Sequence, residues 1–128
     1  MLSIFRRKEK KTKEELVKKT DLEEFCADDK ETYDALFSVM FLDPRKIHVP
    51  MKQAAENAKK SENEKDLVSA RMWYEVAGGL AIYEGNVEKV MEYYEAAERV
   101  AGKQYPILKN AEKAVAKAQE YYKKYLHA

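Results

Sequence analysis

The sequence predicts an all-α protein of five or six helices that form a single domain. Only three prolines and four glycines interrupt its 128 residues, and Ala, Glu, Lys, Leu and Tyr, which are typical of helical proteins, are abundant. Apolar side chains recur every three or four positions over most of the chain, as one face of a helix requires. A chain of this length buries one core, which indicates one domain.

The charges are unevenly distributed, although the formal net charge is only +1. Three apolar residues, Leu2, Ile4 and Phe5, precede a run in which six of the eight side chains of residues 6–13 are basic, whereas acids dominate residues 21–34. We therefore expect residues 1–13 to form a basic, flexible arm and residues 14–128 to form the helical domain. Two alternatives for the arm are an anchor on an anionic membrane surface and packing of Ile4 and Phe5 on the core.

Two helices are predicted in the first third of the chain. The first covers about 13–26 and faces inward through Leu16, Val17, Leu22 and Phe25. Asp28 and Glu31 have the spacing of a capping box, which would start the second helix. Proline disfavours the helical conformation of the residue before it, so the second helix should end at Asp43. Its apolar stripe consists of Tyr33, Leu36, Phe37, Met40 and Phe41.

Two helices are also predicted for residues 51–84, after a basic connection over residues 44–50. An alanine stripe (Ala54, Ala55, Ala58) marks the helix over about 51–60, and Pro50 suits its first turn. Ser61 with Glu64, or Asn63, would cap the next helix, over about 64–84. That helix is apolar on two faces, so we expect neighbours on both sides. The faces are Leu67, Ala70, Tyr74, Ala77 and Ala81, and Met72, Val76, Leu80 and Tyr83.

Glycines mark the remaining helix boundaries. Gly78 and Gly79 each cost about 1 kcal/mol relative to alanine inside a helix, so we expect another backbone to approach closely there. Gly85 should end this helix in a left-handed cap, and Asn86 should open the next, over about 87–101. After Gly102, Pro106 suits the start of the last helix. Its inward side chains are predicted as Ile107, Leu108, Ala111, Ala114, Val115, Ala118, Tyr122 and Tyr125.

Residues 70–102 resemble a tetratricopeptide repeat, a hairpin of two antiparallel helices. The small residue of the repeat's first helix corresponds to Gly78, and its turn glycine with a polar follower corresponds to Gly85 and Asn86. The aromatic residue late in the second helix corresponds to Tyr94, and the small residue after it to Ala97. The resemblance covers about a quarter of the chain and implies a binding scaffold.

The chain also departs from the repeat pattern. Tyr74 occupies the early tryptophan position, Ala81 the mid-helix aromatic position, and Val90 the alanine position of the second helix. No second copy follows at the usual offset, where Glu112 and Gln119 stand in place of the two glycines. A helical bundle with one coincidental hairpin therefore remains the alternative.

The resemblance implies a non-enzymatic protein-interaction or scaffold module. In such repeats the first helix of each hairpin lines a groove, which would place Met72, Glu75, Gly79, Ile82 and Tyr83 against a ligand. This lining is apolar with one acid, so we expect it to bind an apolar or basic segment of a partner. The competing hypothesis is a peripheral membrane-associated or nucleic-acid-associated protein that uses the basic arm.

The sequence offers little material for catalysis or for a cofactor. No His, Cys or carboxylate pair has metal-ligand spacing, and we expect neither a metal nor a cofactor. The neighbouring acids Asp28 and Asp29 should disfavour the thiolate of Cys26. The best candidate contact for an anion is Arg45, Lys46 and His48. A lone cysteine and the lack of an apolar run of about 20 residues favour a cytoplasmic protein.

The apolar surface of the predicted 64–84 helix exceeds what a five-helix monomer obviously covers. Trp73, Leu80 and Tyr83 would form an exposed patch, and large patches are rare on monomers. We therefore expect either a homodimer or a partner-binding groove on this face.

Overall fold

The computed structural model describes residues 20–40 and 43–126 of the chain. Within these residues it contains six α-helices and no strand, so the predicted all-α class is confirmed. Residues 1–13, predicted as an arm, lie outside the described residues. Residues 14–19, in the first half of the predicted 13–26 helix, also lie outside them. The helices are α1 (Asp21–Phe25), α2 (Lys30–Phe37), α3 (Met51–Asn63), α4 (Leu67–Glu84), α5 (Val87–Ala101) and α6 (Ala111–Tyr125), with 3-10 turns at Pro44–Lys46 and Pro106–Lys109.

The three helices α3, α4 and α5 form consecutive antiparallel pairs with α4 in the centre. The side of α4 that packs on its neighbours carries mostly small residues: Ala70, Ala77, Gly78 and Ala81 are buried. Helix α3 contributes its own buried alanines, Ala54, Ala55 and Ala58, as its predicted stripe requires. Small side chains on both helices leave room for the helices to approach closely.

Gly78 lies at a close contact between α4 and α5. A Cβ atom at Gly78 would stand 2.5 Å from Cε2 of Tyr94 and 2.6 Å from its Cζ. The close approach expected at this glycine is therefore present, but the group that approaches is an aromatic ring and not a backbone. Gly79 has no heavy atom within 4 Å of the corresponding position, so the same expectation is wrong for Gly79.

Local caps explain where α4 and α5 begin and end. Gly85 is left-handed (φ 73°) and Asn86 accepts a hydrogen bond from the backbone N–H of Lys89, as predicted. The predicted break between α3 and α4 exists, but it comes later than expected, because Ser61 and Asn63 both lie within α3. Asp66 caps α4 instead, since its carboxylate accepts from the backbone N–H of Ser69 at 3.2 Å and from the Ser69 hydroxyl at 2.8 Å.

The first two described helices have N-caps that differ from those the sequence suggested. Thr20 is extended (φ −73°, ψ 166°) and forms a capping box with Glu23, so α1 begins at Asp21 and the predicted 13–26 helix does not continue through Thr20. Asp29, not Asp28, caps α2, because its carboxylate accepts from both the backbone N–H and the hydroxyl of Thr32.

Helix α2 also ends earlier than predicted, at Phe37 instead of near Asp43. The hydroxyl of Ser38 donates to the carbonyl of Ala35, a local hydrogen bond that competes with helix continuation. Phe37 was expected in the core but is 65% exposed, and its ring lies 5.5 Å from that of Tyr33. Phe41, from the same predicted stripe, lies outside the described residues.

Helix α6 covers the end of the α4–α5 hairpin and joins it to α1 and α2. The Gln119 side-chain amide donates to the carbonyl oxygens of Ile82 at 2.7 Å and Tyr83 at 2.8 Å, which belong to the last turn of α4. The Ile82 carbonyl also accepts from the backbone N–H of Gly85, and the two bonds from Gln119 fix α6 to the end of α4. On its other side, α6 contacts Phe25 of α1 through Tyr121 and Tyr125.

The first prediction compares the two adjacent glycines of α4. Gly78→Ala should destabilise the fold by about 1–3 kcal/mol, because the new methyl group overlaps the ring of Tyr94. Gly79→Ala should stabilise it by about 0.5–1 kcal/mol, because the position is helical and open. Urea unfolding of both variants measures the difference, and equal effects at the two positions would contradict the close contact.

The second prediction concerns Asp29, which joins α2 to α6. Lys113 lies 2.8 Å from its carboxylate, and this contact, with the hydrogen bonds from Thr32, lowers the pKa of Asp29 from 3.8 to about 2. A carboxyl group whose pKa is lowered by folding stabilises the fold above its unfolded-state pKa and loses that contribution as the pH falls through the folded value. Wild-type stability should therefore fall between about pH 4 and pH 2.

Asp29→Asn isolates this contribution, because asparagine can still cap α2. We expect the variant to melt below the wild type at pH 7, and the difference in Tm to shrink as the pH approaches 2. Asp28→Asn, at the exposed neighbouring position, is the matched control. A difference between Asp29→Asn and wild type that is constant from pH 7 to pH 2 would contradict the ion pair.

Candidate interaction face on helix α4

Helix α4 has large apolar residues on the side that points away from α3 and α5. Positions 68, 72, 76 and 80 follow one another in four-residue steps, and positions 79 and 83 lie three residues after 76 and 80. Together with position 73, next to 72, they lie along one side of the helix. We call this surface the outer face of α4; it consists of Val68, Met72, Trp73, Val76, Gly79, Leu80 and Tyr83. The face has no charged member.

The outer face is most open to solvent near the start of α4 and is partly buried toward its end. Val68 is 82% exposed and Met72 is 49% exposed, while Trp73, Val76, Gly79, Leu80 and Tyr83 are partly exposed. The two neighbours expected for a helix with two apolar faces are present, but α3 and α5 both cover the small-residue side. The second apolar face is therefore left partly uncovered.

Of the charged side chains that border the outer face, Arg71 and Glu75 are engaged within the chain, whereas Glu84, four residues after Leu80, is exposed. Arg71 lies 3.6 Å from the carboxylate of Glu75, and the same carboxylate accepts a hydrogen bond of 2.6 Å from the hydroxyl of Tyr105. Burial, with help from this hydrogen bond, raises the pKa of Tyr105. Glu75 thus holds the 102–110 connection against α4.

The structure places the predicted groove residues in three different environments. Met72, Gly79 and Tyr83 lie on the outer face, and Glu75 lies at its edge. Ile82 has no exposed surface, so it belongs to the core and not to a lining. The repeat analogy, which placed Ile82 in the lining, does not reveal this burial.

Four members of the outer face were absent from the predicted lining: Val68, Trp73, Val76 and Leu80. The steps from Val68 to Met72, Val76 and Leu80 are all four residues, a signal that the sequence contains. The predicted lining followed the repeat analogy instead of this spacing. Trp73 and Tyr83 also pack in part against the core, so the predicted patch with Leu80 is half-buried and not fully exposed.

The outer face ends where α6 meets α4. The ring of Tyr83 lies 5.1 Å from that of Tyr122 in an edge-to-face arrangement, in addition to the hydrogen bonds of Gln119. These contacts hold Tyr83 in place at one end of the face. The position of the face therefore depends on α6 as well as on α3 and α5.

A concave surface lies between α3 and α5, apart from the outer face of α4. This groove of about 530 Å³ is lined by Lys59, Tyr74, Glu92, Tyr93, Glu95, Ala96 and Arg99. Glu62 beside it accepts hydrogen bonds from Arg99 and from the hydroxyl of Tyr74, the latter at 2.8 Å, and these bonds lower the pKa of Glu62. The charges in this groove are balanced, so it selects neither an anion nor a cation.

The predicted anion contact is exposed, but its arginine already has a partner. The Arg45 guanidinium donates to both carboxylate oxygens of Asp43, at 3.1 and 2.9 Å, and lowers the pKa of Asp43. Lys46 and His48 are exposed on the same connection. Because Asp43 offsets the charge of Arg45, the cluster attracts an anion less than the sequence suggested.

The remaining chemistry-bearing residues form no site in the part of the chain that is described. Burial is the main cause that raises the pKa of Cys26, with Asp29 and Asp28 also raising it, so the prediction of a disfavoured thiolate is confirmed. Among residues 20–40 and 43–126, no group of three or more His, Cys, Asp or Glu side chains could hold a metal ion. Within the same residues, the helices are too short or too polar to cross a membrane.

Comparisons with known proteins add no relative to this description. No protein-family model matches the chain, and no match is found among curated proteins or solved structures. The structure contains packed helix pairs, but no family match supports the tetratricopeptide resemblance.

Proposed function

We propose that this protein is a non-enzymatic interaction module that binds an apolar segment of a partner protein on the outer face of α4. The observation that carries the proposal is the seven-residue face without a charged member, of which Val68 is 82% and Met72 49% exposed. Contiguous apolar surfaces that remain open on a folded domain are typical of interaction sites.

Helix α4 is held in place by its neighbours, which favours binding of a partner without a large loss of conformational freedom. Helices α3 and α5 pack on its small-residue side, and Gln119 of α6 holds its last turn. A surface held in this way loses little freedom when a partner docks. The α4–α5 hairpin would then act as a tetratricopeptide-like hairpin, with its first helix presenting the groove, in a cytoplasmic protein.

The chemistry and length of the face favour one kind of segment. Glu75 is engaged by Arg71 and Tyr105, and the face itself has no charged member, so apolar contact is its main chemistry. The fifteen steps from position 68 to position 83 span about 22 Å along a helix. An amphipathic helix of about four turns, with apolar anchors every three or four residues, fits this length and chemistry.

The third prediction tests this binding with peptides selected from a displayed random library on the full-length protein. Met72→Glu should weaken the selected peptides at least about tenfold, because an unpaired carboxylate would be buried in an apolar contact. Phe37→Glu is the matched control, since Phe37 is an exposed apolar residue on another helix. It should leave peptide binding unchanged.

Isothermal titration of both variants, with melting curves to confirm folding, gives the comparison. Failure to select any peptide, or equal binding by the wild type and Met72→Glu, would contradict the proposed function. Binding of anionic vesicles or DNA through the basic arm, with no peptide bound, would favour the alternative function.

A further inference from the structure

The described part of the chain begins beside helix α6. Thr20 caps α1, and α1 places Phe25 on α6, with ring centroids 5.9 Å from Tyr121 and 6.1 Å from Tyr125. Residues 1–19, which carry the basic run and three apolar residues, therefore connect to the body at this surface.

Ring contacts through the core show that this connection lies close to the outer face of α4. The rings of Tyr121 and Tyr122 lie 6.1 Å apart, and those of Tyr122 and Tyr83 lie 5.1 Å apart. Tyr83 is thus three ring-to-ring steps from Phe25. The fourteen residues between Phe5 and Thr20 can extend about 45 Å at roughly 3.3 Å each, so residues 2–5 can reach Tyr83 and its neighbours.

The chemistry of residues 2–5 matches the surface within their reach. Three of these four residues are the apolar Leu2, Ile4 and Phe5, and Ser3 is uncharged. In extended form they span about 13 Å, a little over half of the length of the outer face. The part nearest to the arm contains Val76, Gly79, Leu80 and Tyr83. Gly79 offers open space there for an incoming side chain.

Charge complementarity favours a return of the arm to its own body. Six bases lie in residues 6–13, while α1, α2 and the segment between them expose five acids at the surface where the arm begins. These acids are Asp21, Glu24, Asp28, Glu31 and Asp34. Attraction between these bases and these acids raises the local concentration of the arm near the body. Three apolar residues alone anchor a protein weakly on a membrane, which makes the membrane the weaker candidate.

We propose that residues 2–5 of this chain occupy the part of the outer face of α4 around Val76, Leu80 and Tyr83, and so compete with the apolar segment of a partner. The proposal rests on the proposed function of that face and adds its regulation: the arm is an internal competitor. Removal of its apolar side chains should tighten partner binding. This differs from the solvated arm that composition alone favours, because composition does not show where the arm joins the body.

The fourth prediction tests the contact in the full-length chain. A nitroxide spin label attached at Ser3→Cys, in a Cys26→Ser background, should broaden the methyl NMR signals of Val76 and Leu80. The methyl signals of Leu67 serve as the control, since Leu67 lies thirteen residues, or about 20 Å along α4, before Leu80. The broadening should disappear when Leu2, Ile4 and Phe5 are all replaced by serine.

Peptide binding gives the functional readout. The variant with three serines should bind peptides selected on the α4 face several-fold more tightly than the wild type. Unbroadened Val76 and Leu80 signals overturn the proposal whether or not peptides bind, and a label that contacts only phosphatidylserine vesicles overturns it in favour of a membrane contact. Broadening without peptide binding by either protein would confirm the arm contact and refute the proposed function.

Discussion

The close contact between Gly78 and Tyr94 is the constraint on which the arrangement of the long helices depends. A side chain at position 78 would overlap the ring of Tyr94, so α5 can pack at this distance only against a glycine. Alanines at positions 70, 77 and 81 continue the same buried side of α4. Helix α4 thereby packs between α3 and α5 through its smallest residues.

This use of small residues determines what the rest of α4 presents. The larger apolar side chains of the helix, apart from Leu67, Tyr74 and Ile82, lie on the outer face. In most surface helices the apolar stripe faces the core and the charged side faces water. In α4 the uncovered side is apolar. Its exposure to water is unfavourable in free energy, and an apolar segment that covers it removes this cost. The proposed partner and the proposed arm contact both supply such a segment.

Local signals made much of the fold predictable from the sequence. Helix α5 has the predicted bounds, because Asn86 and Gly102 mark its ends and a single apolar stripe defines its inner side. The two-faced character of α4 was likewise visible in the spacing of its apolar residues. The sequence did not indicate which of two adjacent acids caps a helix: Asp29 caps α2, whereas Asp28 was predicted.

Features set by contacts distant in sequence could not be predicted. Gln119 and Tyr122 of α6, which lie about 40 positions later, contact the backbone of Ile82 and Tyr83 and the ring of Tyr83. The exposure of Phe37 depends on where α2 ends and on how it packs against α6. The candidate face therefore required the assembled structure, although most of its members share a regular four-residue spacing.

The most direct test of the central claim, that the outer face of α4 is the binding surface, is methyl chemical-shift mapping with a selected peptide. The account predicts saturable shifts at Val68, Met72, Val76 and Leu80, with little change at the buried Val90 and Val115. Shifts confined to Ala96, in the groove between α3 and α5, would contradict it, as would the absence of any shift on α4.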